Sequence, residues 1–167
     1  MNARDAAPGS RGLAPRAAGH RAHAPRLSIG VQSAVMSTDL PKRPALRRWA
    51  AAALERDARV TLRFVDGREC RSLNRRYRGQ DRATNVLTFV YDDAVSLNGD
   101  MVLCVPVIAK EARAQHKTVA AHYAHLVIHG MLHLQGYGHE RDDDAARMEA
   151  REITVLRDLG FADPYAV

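Results

Sequence analysis

The sequence predicts an α+β domain in which a small mixed sheet is packed with about five helices, and three observations lead there. Short runs rich in β-branched and aromatic residues are interspersed with longer segments whose apolar residues recur at helical spacing. These segments follow one another as helix, strand, helix, two strands and three helices, an order that suits helices packed on a modest sheet. At 167 residues, with 46% apolar and 26% charged side chains, the chain has the composition of one globular domain with its own core.

Each element rests on a local pattern. From Pro44, "PALRRWAAAALERD" sets Leu46, Trp49, Ala50, Ala53 and Leu54 at helical spacing, with proline suited to a first turn. "ARVTLRFVD" then alternates Val60, Leu62 and Phe64 or Val65 with polar residues and ends at Asp66-Gly67, the mark of a strand. Residues 68–79, "RECRSLNRRYRG", put Cys70, Leu73 and Tyr77 on one helical face and stop at Gly79, which predicts a short basic helix. "ATNVLTFVY" and "DMVLCVPV" read as two strands separated by the polar turn "DDAVSLNGD". Beyond Pro106 the pattern is helical through residue 116, again from about 118 to 135 before Gly136, and again over 142–159 before Gly160. There are no internal repeats.

Residues 1–36 stand apart. They are rich in Ala, Arg, Pro and Gly, poor in large apolar side chains, and hold five arginines against one aspartate. Such a segment buries too little surface to order itself, so 1–36 is expected to be a disordered or non-native extension and 37–167 the folded domain. Met36 offers an alternative start, and the Arg-rich, acid-poor composition leaves an organellar transit peptide as a lesser alternative. Most of the formal charge of +6 falls in this extension, so total charge is a weak argument for a nucleic-acid partner. Cys70 and Cys104 lie far apart with no CxxC pair, which indicates neither a disulfide framework nor a cysteine metal site and fits a reducing cytoplasm. No stretch reaches the ~18 apolar residues of a membrane helix.

The densest chemistry lies in "HGMLHLQGYGH", residues 129–139. On a helix, positions i and i+4 share a face one turn apart, so His129 and His133 can bind one ion together. Gly136 and Gly138 permit a sharp reversal that returns His139 as a third ligand. Three neutral imidazoles suit Zn2+, with nickel or another divalent ion the alternative, and leave a fourth position open as in catalytic sites. They also leave the ion's charge undiminished, which lowers the pKa of a bound water toward ~7. His125, one turn earlier, reads either as a group that orients a ligand or meets substrate, or as a hydrogen-bonded core residue. His116 and His122 read as surface.

The segment matches the HExxHxxGxxH pattern of metzincin proteases at every fixed position except the glutamate, where Gly130 stands. That carboxylate takes the proton from metal-bound water and passes it to a leaving amine, work a glycine cannot do. A phosphodiester asks chiefly for cations, because its barrier lies in gathering negative charge on a group already anionic. A metal ion can meet one oxygen while a guanidinium holds another in a bidentate fork. Residues 68–82 supply six arginines (68, 71, 75, 76, 78 and 82) against Glu69 and Asp81, although most of the six read as a solvated helix face.

Four blocks, "LNRRYRGQDRATNVLTF" (73–89), "GDMVLC" (99–104), "HLVIHGMLHLQGYGH" (125–139) and "MEAREITVLRDLGF" (148–161), resemble the YbeY family of bacterial metal-dependent endoribonucleases in order and spacing. The resemblance implies one Zn2+ bound by His129, His133 and His139, and a functional arginine at the "YRG" position, Arg78. It implies RNA as substrate, with roles in ribosomal RNA maturation and ribosome quality control and with ribosomal and ribosome-linked partners. The chain departs from the family's pattern at Gly138, where aspartate is common, and at "LTFV", where "LSFP" is usual. The expectation is a cytoplasmic, single-strand-preferring, zinc-dependent endoribonuclease. The rivals are a non-catalytic ribosome- or RNA-binding factor whose zinc only fixes the fold and, less favoured, a metalloprotease.

Overall fold

In the computed structural model, residues 23–91 and 96–166 are described. They form β1 (Leu27–Ser33), α1 (Arg43–Ala52), β2 (Ala58–Val65), α2 (Gly67–Arg78), β3 (Val86–Tyr91), β4 (Leu97–Cys104), α3 (Val105–Ala114), α4 (Val119–Leu134) and α5 (Asp142–Asp158). The strands make one sheet of order β1-β2-β4-β3, parallel at β1–β2 and β2–β4 and antiparallel at β3–β4, so the expected α+β fold with a small mixed sheet is present.

Period-two alternation places the two faces of the sheet in different surroundings. Val60, Leu62 and Phe64 of β2, with Leu97, Met101 and Leu103 of β4, face the main core, where they meet Leu46 and Trp49 of α1 and much of α4. The opposite face is covered only near the C-terminal ends of β2 and β4, where Val65, Leu87, Val102 and Cys104 pack with Cys70 of α2. Cys70 and Cys104 are both free and buried. α4 touches α1, α3, α5, β3 and β4, and is the helix around which the others are arranged. Gly99 and Gly130 allow this close approach: a Cβ on Gly99 would stand 2.7 Å from Leu134 Cδ2, and one on Gly130 would stand 2.4 Å from Met101 Cε.

Two expectations are corrected. Residues 27–33, assigned above to a disordered extension, form β1 and pair in register with β2 from Leu27↔Ala58 to Ser33↔Phe64. Leu27 and Ile29 enter the core, and Arg26 clasps Asp57 through its backbone N–H at 2.8 Å and its guanidinium at 3.2 Å. The alternation of Leu27, Ile29 and Val31 is a strand signal diluted by averaging over 36 residues. The folded part therefore starts before residue 37, while the extension before residue 23 lies outside the described residues. The second correction is β4, which begins at Leu97 inside the segment read as a turn, because Leu97 is buried and Gly99 packs against α4.

Candidate metal centre

α4 starts where Thr118 Oγ1 accepts the N–H of Ala121 at 3.1 Å, an N-cap that sets the phase of the helix. In that phase His122, His125, His129 and His133 form a stripe at steps of three and four residues. The helix ends in a Schellman turn: Gly136 N–H donates to His133 O at 3.0 Å and Tyr137 N–H to Leu132 O at 3.0 Å. Gly136 sits at φ 96°, a left-handed conformation open to glycine. Tyr137 Oη donates to Glu55 at 2.8 Å and Gln135 Nε2 to Ala53 O at 2.8 Å, fixing the turn to the end of α1. The chain then brings His139 back beside the helix.

The donor nitrogens of His129, His133 and His139 all lie within 4.8 Å of one another. His133 meets His129 edge to face at 4.5 Å between ring centroids, and His139 likewise at 4.8 Å. Each helical ring is oriented through its other nitrogen. His129 Nδ1–H donates to Glu152 Oε1 at 2.6 Å and His133 Nδ1–H to Tyr137 O at 2.9 Å, which leaves the lone pair of each ring on Nε2, free to ligate. Burial, aided by the neighbouring His129 and His139, lowers the pKa of His133 to about 4, which keeps its ring neutral and able to ligate near neutral pH.

Glu152 of α5 was not singled out from the sequence. Its carboxylate is fully buried and accepts from His129, from His125 Nε2 at 2.9 Å and from Tyr165 Oη. Burial alone would raise its pKa, but the hydrogen bonds from His125, His129 and Tyr165 outweigh it and hold the carboxyl at about 2. His125, His129 and Glu152 are also close enough to suggest a second ion site. Contacts of 2.6 and 2.9 Å are hydrogen bonds, however. Neighbouring donors around a tetrahedral ion stand about 3.3 Å apart for bonds of about 2.0–2.1 Å. His125 thus acts as a partner of Glu152. The available signal was a glutamate on the same helical face as Met148, Val155 and Leu156, where an apolar residue belongs.

His122, read as surface, is buried at 3% exposure, and this corrects the sequence reading. Its Nε2 lies 2.7 Å from Glu111 Oε2, and Glu111 also accepts from Asn85 Nδ2 at 3.1 Å. The buried Asn74 donates to Arg82 O at 2.7 Å. The "LN" and "TN" of the block at 73–89 therefore brace the loop between α2 and β3.

That loop and the histidine turn enclose a cavity of about 860 Å³, whose walls include Arg78, Thr84, Asn85, His129, His133, His139 and Arg141. The structure separates Arg78 from the rest of the basic helix. Arg71 is bound to Asp81 at 2.8 Å, Arg82 to Gln80 at 2.9 Å, and Arg76 lies over the ring of Tyr77, whereas Arg78, the last residue of α2, faces the histidines' cavity. Gly138 also lines the cavity and has open space where a Cβ would lie. A Cβ at Gly130 points instead into Met101, so a side chain there would enter the core rather than the cavity. The arrangement offers three imidazoles for a divalent ion and a guanidinium for an anion, with glycine in place of a carboxylate at the position after His129 and with Glu140 and Asp144 on the cavity wall.

A family model described as endoribonuclease YbeY matches residues 42–160. A relative of that description from Nitrosomonas europaea is 53% identical over 145 residues, covering 87% of this chain and 88% of the relative. One from Aromatoleum aromaticum is 54% identical over 144 residues, covering 84% and 94%. Among solved structures, the solution structure of a Thermotoga maritima protein is similar at a TM-score of 0.51 and 25% identity, over 83% of this chain and 99% of that one.

Proposed function

This chain belongs to the endoribonuclease YbeY family, and from that membership we propose that it is a metal-dependent endoribonuclease acting in ribosomal RNA processing. The finer reading is a zinc enzyme of the cytoplasm that prefers single-stranded RNA, matures the 3′ end of the small-subunit RNA, serves ribosome quality control and works with the ribosome or ribosome-associated proteins. The observation that carries it is the cavity in which three convergent imidazoles face an arginine.

The donor set fits a divalent ion of zinc's kind, with His129, His133 and His139 as ligands: two rings are oriented through Nδ1 and His133 is held neutral. An ion held there by His129, His133 and His139 would supply Lewis acidity and would favour deprotonation of a nucleophilic water or hydroxyl. The protein does the rest by position. Arg78 offers a planar fork to two phosphate oxygens and stabilises the charge that accumulates on them. Glu152 fixes the plane of His129 from behind, within the core, where its negative charge is spent on hydrogen bonds rather than on repelling a phosphate. Gly130 leaves no base in the peptidase position, which favours a substrate already anionic over an amide.

The test joins metal analysis of native protein with cleavage of a single-stranded RNA by the parent chain, His133→Ala and Arg78→Ala. The parent is expected to carry close to one zinc per chain and to cut. His133→Ala should lose both metal and cleavage, and Arg78→Ala should keep the metal while cleaving about 100- to 1,000-fold more slowly. Undiminished cleavage by both variants would defeat the assignment. Products ending in a 2′,3′-cyclic phosphate would identify the 2′-hydroxyl as nucleophile.

A further inference from the structure

Arg78 has a neighbour that the cleavage chemistry leaves unused. Tyr77, one residue earlier in the last turn of α2, points to the other side of β3 and is 57% exposed. It meets Phe89 edge to face at 5.1 Å between centroids, and Tyr91, 53% exposed, follows on the same face of β3 two residues later. These rings line a second cavity of about 400 Å³ on the part of the sheet that α2 leaves uncovered, together with Thr61, Arg63 and Asp100. Tyr77 and Tyr91 keep much of their rings in water and contribute little to the core, while the half-buried Phe89 anchors the group against the smaller core.

The charges around them narrow the occupant. Arg63 is paired with Glu69 at 2.7 Å, and Asp100 accepts from Tyr91 Oη at 2.6 Å, so the floor is neutralised or acidic and unsuited to a phosphate. The rim toward Arg78 is basic: Arg75 and Arg76 share the turn, and the Arg76 guanidinium lies 5.4 Å from the Tyr77 centroid. A group with a flat π-face and an anionic link on its Arg78 side matches this layout, and a nucleotide of single-stranded RNA has both. Tyr77 and Arg78 are neighbours at the end of α2, and β3 is an edge strand of the sheet, so a strand of RNA held at Arg78 can pass the open edge of β3 to reach the rings.

We propose that Tyr77, Phe89 and Tyr91 form a stacking subsite for a base flanking the phosphate held at Arg78, making the end of α2 a two-sided reader with the phosphate on one side and the base on the other. The inference rests on the RNA-cleaving reading of the metal cavity. Because every base has a π-face, the subsite favours unpaired over paired nucleotides without selecting sequence.

The test uses the full chain carrying His133→Ala, to prevent cutting, and a single-stranded RNA containing 2-aminopurine, whose fluorescence is quenched on stacking. Quenching is expected on binding. Adding Tyr77→Ala should relieve it and weaken binding roughly 5- to 100-fold, while Tyr77→Phe keeps both. Arg78→Ala should weaken binding yet leave residual complexes quenched. Thermal melts of each variant guard against unfolding, and Phe89→Leu provides a second reading from the other ring. Unchanged quenching and affinity in Tyr77→Ala would overturn the subsite, and the nuclease reading would stand if the chain without substitutions cuts the same RNA. Quenched binding by a chain that never cuts would uphold the subsite and remove the nuclease. No binding by the His133→Ala chain would remove the subsite, and the nuclease reading would fall with it only if the chain without substitutions also leaves the RNA uncut.

Discussion

Beside His129, the missing Cβ of Gly130 has a structural cause and a chemical consequence. Met101 occupies the space a side chain would need, so Gly130→Glu would press a carboxylate into the core instead of placing a base in the cavity. Steric overlap and burial of an unpaired charge together predict a loss of at least about 3 kcal/mol in urea unfolding, with no peptidase activity gained. Glu152 is the converse case, a buried charge with every partner in place. Replacing it by glutamine keeps the volume but sets an amide N–H against donors already aimed at a carboxylate, and should weaken zinc binding about 10- to 100-fold by competition with a chromogenic chelator. Affinity equal to the parent's would show that His129 needs no support. The convergence of His129 and His133 was readable because helical geometry ties spacing to direction, and that of His139 because Gly136 permits the turn after the helix. Glu152 was not, because its partner on α4 is 23 residues away and only the fold brings them together.

The decisive element is the end of α4 with its turn. Gly136→Ala would force a side chain into the left-handed conformation at φ 96°, which should cost about 1 kcal/mol and displace His139, lowering metal affinity more than stability. Gly138→Asp should do the reverse. Open space surrounds the position, so the aspartate common in the family is accommodated, and metal affinity measured by calorimetry is expected to rise up to about tenfold. The α3–α4 contact supplies a pH dependence. Burial pushes the pKa of His122 below its ordinary value of 6.5 despite the opposing bond to Glu111, so the unfolded chain takes up this proton first. Stability is therefore full above about pH 6.5 and declines as the pH falls below it. Urea midpoints of chelator-treated protein at pH 7.5, 6.5 and 5.5 should show the decline, and His122→Asn should lessen it without removing it, because burial lowers the pKa of His133 in the same direction. Helix ends were legible in the glycines, but the burial of His122 was not, because a histidine on a partly polar helix shows which face it occupies only once α3 is packed there.

For the molecule as a whole, the order of elements from α1 onward was legible because each carries its own period, whereas β1 hid in a segment whose average composition is that of a disordered tail. β1 nevertheless completes the sheet beside β2, and a chain beginning at Met36 would lose the burial of Leu27 and Ile29, roughly 3–6 kcal/mol of apolar contact. The same accounting by burial sets what metal removal should do if the ion is catalytic rather than structural. The core beneath the histidines is closed by side chains alone, with Met131, Leu132 and Leu134 of α4 buried against the sheet and α5 joined through Glu152. The turn carrying His139 is held by its Schellman bonds and by Tyr137 and Gln135. Each of these contacts joins protein groups to one another, so removing the ion is expected to cost only the linkage energy of binding, about 3–4 kcal/mol at 100 to 1,000 times the dissociation constant. A chelated chain is then expected to keep its far-ultraviolet circular dichroism and a cooperative, lowered melting transition while losing RNA cleavage, and zinc should restore both. If chelation instead unfolds the chain, and metal-loaded protein cuts no RNA above the His133→Ala control, the ion is a structural staple and the domain a binding factor.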